Sequence, residues 1–281
     1  MLRFPLAQAA LGLAAILMVP WAACTPPPPA AAPPPPPPAY QPNFSFKVTP
    51  ADKKLDVTIG VVNPQFANAA NSPDRKDYLG DTVVKGMLSA MSATFNEVLI
   101  AKGFNTKGPF TSLNDMTFPD KKGSDLLLYP EFDYDATLKV TGQPHAAASA
   151  AAPADKGTMF GGILKQDDKK GAGPAAVPQV CDFNLNVTGN VLFIAQEPLS
   201  GERFMNKRLD LSASAQTFKD QDCSLASKPS DQWPQDIKDA WGKAHEAVYQ
   251  NSMKAFDNYV NGEEFQQFKV QSQEVRAKKS Y

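Results

Sequence analysis

Residues 25–42 read TPPPPAAAPPPPPPAYQP, with ten prolines between Pro26 and Pro38. Proline has no backbone N–H and a fixed φ, so this run can enter neither a helix interior nor a central sheet ladder. It extends as polyproline at about 3.1 Å per residue, a spacer of about 50 Å. Whatever folds must lie beside it. The chain has 281 residues and 26 prolines, and outside this run and an Ala/Gly/Pro stretch at 142–178 its composition is ordinary. About 200 residues remain, enough for one domain with its own core.

The residues before the spacer read as an export signal. Arg3 supplies a positive start, residues 6–19 (LAQAALGLAAILMV) an apolar stretch, and Ala22 and Ala23 the small residues of a cleavage site. The apolar stretch is too short for a confident membrane span. The quartet Trp21-Ala22-Ala23-Cys24 ends as a bacterial lipobox does, and the spacer begins directly after it. The reading is therefore a signal peptide over 1–23, acyl chains on Cys24, and a tether over 24–42. The alternative is a plain cleaved signal with an incidental cysteine. Thr25, rather than Asp, favours the outer membrane over the inner. Acyl chains hold such an anchor stably, since each buried CH₂ contributes about 0.8 kcal/mol. Two further cysteines, Cys181 and Cys223, form an even pair in an exported chain and read as a disulfide. Closing that loop would stabilise by roughly 3–4 kcal/mol on the chain-entropy picture.

The rest, 43–281, reads as one α/β (α+β) domain interrupted by the low-complexity insertion 142–178. Val57–Val62 is a short β-branched run, a buried strand. Ser72 and Pro73 mark a helix start. Apolar residues at 84, 87, 88, 91, 95, 98 and 99 keep helical spacing up to Gly103. Residues 104–110 read as a second strand, and Asp125 opens a third that runs towards Val140. Residues 182–195 alternate as a long strand, Glu197–Glu202 is a turn, and 203–213 pairs back as a hairpin. Residues 235–261 form a second long helix, and a polar, basic tail closes the chain. The expected architecture is a mixed sheet with a β-α-β start, a long hairpin and two long helices packed on it.

Candidate chemistry is sparse. His245-Glu246-Ala247-Val248-Tyr249 resembles a zinc-protease helix, but Tyr249 stands where the second imidazole is needed. His145 lies in the low-complexity segment. Asp133-Tyr134-Asp135-Ala136-Thr137 has the form of an aspartyl-phosphate motif, but the strand alternation continues through it and no loop follows. There is no phosphate-binding loop, nucleophile elbow, CxxC or dinucleotide fingerprint. With a net charge of −1 the chain carries no electrostatic footprint for nucleic acid. The expectation is a binding module with no catalytic residues, metal or cofactor.

Three segments together resemble the neuraminyllactose-binding haemagglutinin (HpaA-like) lipoprotein family. They are VTIGVVNPQF leading to LIAKGFNTKG, then SDLLLYPEF, and, most specifically, VLFIAQEPLSGERF followed by Leu209-Asp210-Leu211-Ser212. The resemblance covers roughly residues 55–141 and 182–281. It implies an outer-membrane or surface lipoprotein associated with adhesion and with sialylated glycans. The basic stretch that the family places after its third strand is acidic here, Glu131 to Asp135, and would repel an anionic sugar. Tyr129, Tyr134, Trp233 and Trp241 are the candidate residues for stacking on a glycan. The expected role is a surface adhesin or host-contact module, joined to the membrane through Cys24. Its rival is a periplasm-facing accessory lipoprotein whose partner is an envelope or secretion protein.

Overall fold

The computed structural model describes residues 38–51, 53–67, 80–146 and 179–280. The leader, Cys24, most of the spacer, the helix start at Ser72–Pro73 and the bulk of the insertion lie outside the described residues. Everything below belongs to the compact unit Ala39–Tyr281.

The elements run in the order β1 (Thr58–Val62), β2 (Gln65–Phe66), α1 (Thr82–Ala101), β3 (Asn105–Phe110), α2 (Phe118–Lys122), β4 (Leu126–Val140), β5 (His145–Ala146), β6 (Gln179–Gln196), β7 (Arg203–Asp220), α3 (Gln235–Tyr259) and α4 (Gly262–Lys279). They build one mixed sheet. β3, β1 and β4 run parallel, and β2 continues beside β4 where β1 stops. β6 then pairs antiparallel with β4 from Leu127↔Gln196 to Val140↔Phe183, and β7 pairs with β6 on its other side. The α/β class and the long hairpin stand as the sequence implies.

Alternation along β4 separates two cores. Leu126, Leu128, Phe132, Ala136 and Leu138 enter a large cluster with Val84, Met91 and Phe95 of α1, Tyr249 and Phe256 of α3, and Phe265 and Phe268 of α4. All three long helices therefore share one face of the sheet. Leu127 and Tyr129 face the other way, onto Val62, Met116 and Ile194. There the segment 111–124, ending in α2, crosses the sheet.

Local chemistry sets the helix ends. The Asp81 carboxylate accepts from the Val83 and Val84 amides and caps α1. Gly103, at φ +88, turns the chain out of the helix, in a backbone region costly for any other residue. Thr117 and Asp120 form a capping box on α2.

Four expectations change. The basic tail is the helix α4, capped by Asn261, whose side chain accepts from Glu263 and Glu264 N–H. Its buried residues, Phe265, Phe268, Ser272 and Val275, form a narrow stripe that a polar composition hides. The long helix ends at Tyr259 because Val260 is extended. β7 reaches Asp220 rather than 213, past a register shift opposite Leu185 and Val187. His145 stands not in a loop but in β5, paired with Val180.

The spacer also ends differently. Tyr40, Pro42, Phe44, Phe46 and Val48 are half-buried and alternate with exposed Gln41, Asn43, Ser45 and Lys47. That two-residue period is an extended strap, and it lies along α3.

Candidate functional site

The strap is the junction at which the chain enters the folded unit. The Tyr40 hydroxyl donates to the Glu246 carboxylate, and the Asn43 amide donates to the same oxygen at 3.0 Å. The Tyr40 amide donates to Asp239 at 3.1 Å. Gln250 donates to the Ser45 carbonyl at 2.9 Å, and Lys243 sits 5.2 Å from the Tyr40 ring. The bond to Glu246 raises the Tyr40 phenol above its ordinary range. The strap approaches α3 at Gly242, where a Cβ would lie 3.0 Å from Pro42 and 3.1 Å from Tyr40. Farther along, Phe44 packs on Tyr249 with ring centroids 5.5 Å apart.

Behind the junction is a half-buried polar group centred on Asp81. Asp81, already the cap of α1, also accepts from the Ser230 hydroxyl and, at 3.2 Å, from the Trp241 indole. Trp241 stacks edge-on with Trp233 at 5.3 Å, and the Trp233 indole donates to the Leu225 and Lys228 carbonyls at 3.0 Å each. The His245 ring lies 4.3 Å from the Trp241 ring, with Nδ1 2.8 Å from the Trp241 carbonyl oxygen. His245 is fully buried, and burial pushes its pKa down, so the neutral imidazole is the stable form. The bond to the Trp241 carbonyl and, less strongly, the Asp81 charge oppose that shift only in part.

At the other end of the domain, the turn Glu197–Glu202 is organised by Glu197. One carboxylate oxygen accepts from the Leu199 amide at 2.8 Å and from the Ser200 amide, and the other accepts from Arg276 Nε at 2.7 Å. The Glu-Pro-Leu-Ser-Gly-Glu motif is thus held together from within by its first residue, which anchors α4.

These placements revise the sequence candidates. Trp233 is 8% exposed and Trp241 4%, with both indole N–H groups engaged. Tyr129 is buried too, its hydroxyl donating to Gln196 at 3.2 Å, and burial raises its pKa. None of the three presents a face to a glycan. The Tyr134 side chain lies outside the described residues. Asp133 and Asp135 sit on one strand opposite Asn190 and Thr188, and β4 runs on past them to Val140. His245 points inward on α3, and Tyr249 one turn on bonds Thr94 at 2.8 Å. Among the described residues, no group of three or more His, Cys, Asp or Glu could hold a metal ion. Cys181 and Cys223 are joined as a disulfide, with Cα atoms 5.3 Å apart. Beside it, hydrogen bonds from Lys228 and Ser224 hold the Asp222 carboxyl down to about 2.

The strap and the Asp81 group were missed by sequence reasoning. The strap carried a signal, the alternation Tyr40-x-Pro42-x-Phe44-x-Phe46-x-Val48, masked by the prolines just before it. The Asp81 group joins residues about 160 positions apart and had none.

No protein-family profile matches the sequence, and no curated protein matches it. Solved structures do. A neuraminyllactose-binding hemagglutinin homolog from Helicobacter pylori superposes with a TM-score of 0.49 at 11% identity, over 84% of this chain and 100% of that one. A lipoprotein from Neisseria meningitidis gives a TM-score of 0.20 at 13% identity, over 67% of this chain and 94% of that one.

Proposed function

We propose that this chain is an outer-membrane lipoprotein whose folded unit acts as a surface adhesin or host-contact module, not as an enzyme. The observation that carries the reading is the junction. A proline spacer that follows a lipobox-like Trp21-Ala22-Ala23-Cys24 runs directly into a strap fixed on α3. A lipid anchor, a proline spacer and a strapped domain form a device that keeps a folded surface at a membrane, within the reach of the spacer. The Cys181–Cys223 disulfide fits an oxidising compartment. The segments around VLFIAQEPLSGERF support the adhesin reading over a generic lipoprotein.

Protease shaving of intact cells tests it, with Cys24→Ala as the control for anchoring. Loss of the domain from intact cells supports surface display. Protection until the outer membrane is permeabilised overturns it in favour of a periplasmic accessory role. A Cys24→Ala chain that stays with the membrane overturns the lipid anchor.

A further inference from the structure

The end of the domain opposite the tether has its own composition. The strap meets α3 at Gly242, and α3 then rises for about 26 Å to Tyr259. An ion pair of Lys102 with Asp257, at 3.0 Å, fixes that far end beside the last turn of α1. The starts of β1 and β4 lie at the same end, joined by the bond from the Asp125 amide to the Thr58 carbonyl at 2.7 Å. The turn Glu197–Glu202 follows directly from the Leu127↔Gln196 pair, so it lies there too. Arg276 of α4 closes the end by donating to the carbonyls of Ser124 at 2.6 Å and Lys122 at 3.1 Å.

Phe118, the first residue of α2, is 59% exposed here, the most exposed of the large apolar side chains among the described residues, ahead of Ile100 and Val270 at 55% each. Lys122 stands 6.0 Å from its ring centroid. Lys121 follows on the same short helix, and the Lys107 ammonium reaches over Gly123. The last turn of α4 adds Lys278 and Lys279, and β7 opens with exposed Arg203. Against these six cations stand Asp120, Glu202 and Glu274, of which Asp120 is tied into the α2 cap and Glu202 lies 3.8 Å from Lys279. Counting also the ion-paired groups of this end, Lys102, Lys269 and Arg276 with Asp56, Asp125, Glu197 and Asp257, nine cations face seven carboxylates, an excess of +2 in a chain whose total is −1.

We propose that this end is a docking surface for an anionic lipid membrane. Phe118 enters the headgroup boundary and the lysines around it meet lipid phosphates, the pairing of apolar insertion and basic rim that holds peripheral proteins on membranes. Chain length favours this partner. Residues 25–39 can extend about 47 Å at the polyproline rise, more than the 26 Å or so along α3 from the strap to this end. The basic end can therefore reach the leaflet that an acylated Cys24 would occupy, and two contacts on one surface reinforce each other through effective concentration.

The test is cosedimentation of the unacylated chain from Cys24 onward, carrying Cys24→Ala, with two kinds of vesicle. One is phosphatidylcholine alone, the other phosphatidylcholine and phosphatidylglycerol in equal parts. The expected result is at least about tenfold tighter binding to the anionic vesicles, abolished by molar salt. The triple change Lys121→Gln, Lys122→Gln and Lys278→Gln, at one half-buried and two exposed positions, should remove that preference. Phe118→Ser should weaken binding and leave the salt dependence in place. Equal binding to both vesicle types overturns the proposal, and so does a triple variant that binds as well as its parent. Retention on immobilised heparin without vesicle binding also overturns it, in favour of an anionic polysaccharide.

Discussion

The Arg276 guanidinium meets the Glu197 carboxylate at 2.7 Å, and the Glu197 side chain has no solvent exposure. A carboxylate taken fully out of water must be repaid by close partners. Glu197 has three donors, Arg276 and the amides of Leu199 and Ser200. Arg276 in turn spreads its other N–H groups over carbonyls at the end of α2, so one guanidinium ties the β6–β7 turn, α2 and α4 together.

Removing one partner should be costly. Arg276→Met leaves Glu197 buried without its cation and should destabilise by about 3 kcal/mol. Glu197→Gln should cost less, because the amide oxygen still accepts from the turn. Urea unfolding with an unchanged m-value reads both. A loss below about 1 kcal/mol for Arg276→Met would mean that solvent reaches Glu197 after all.

His245 sets the pH dependence. Its folded pKa lies below the ordinary 6.5, because burial penalises the imidazolium. Below pH 6.5 the unfolded chain therefore binds more protons than the folded one. Stability is then full above that value and falls as pH drops from about 6.5 towards the depressed folded pKa. Midpoints of unfolding measured from pH 8 down to pH 5 should decline, and His245→Gln should flatten that decline. An equal slope in the variant would assign it to another group.

The disulfide closes a loop with a sequence separation of 42, beside a Cys181 that is 1% exposed. The double change Cys181→Ala and Cys223→Ala should cost roughly 3–4 kcal/mol, mainly by freeing the unfolded chain. A thermal scan of the reduced wild type should match that of the double variant. If reduction leaves Tm unchanged, the bridge adds nothing that packing does not already supply.

What could be read in the sequence follows the range of each interaction. β1, β4, β6 and α1 announce themselves by period, since their own side chains make the buried face. The far half of β7 does not, because a register shift breaks the two-residue alternation after Ala213. α4 was hidden because its buried stripe is only Phe265, Phe268, Ser272 and Val275 among charged neighbours. Trp233 and Trp241 are alike from sequence whether they serve a glycan or a core. Only their indole bonds to Leu225, Lys228 and Asp81 decide for the core.

Gly242 offers the sharpest test of the junction. In a helix interior, Gly→Ala normally gains about 1 kcal/mol through helix propensity. Here the added Cβ meets Pro42 at 3.0 Å and Tyr40 at 3.1 Å, distances at which the strap must yield by a few tenths of an ångström. Gly242→Leu cannot be accommodated that way and should lift the strap off α3. The helix gains while the strap loses, so global stability changes little and local protection changes much. Amide exchange at Asn43 should accelerate, because its N–H donates to Glu246 across the strap–α3 contact. Limited proteolysis should then cut between Tyr40 and Val48 in the variant and not in the wild type. An uncut variant with Asn43 still protected would show that Glu246, Asp239 and Gln250 hold the strap without close approach to Gly242.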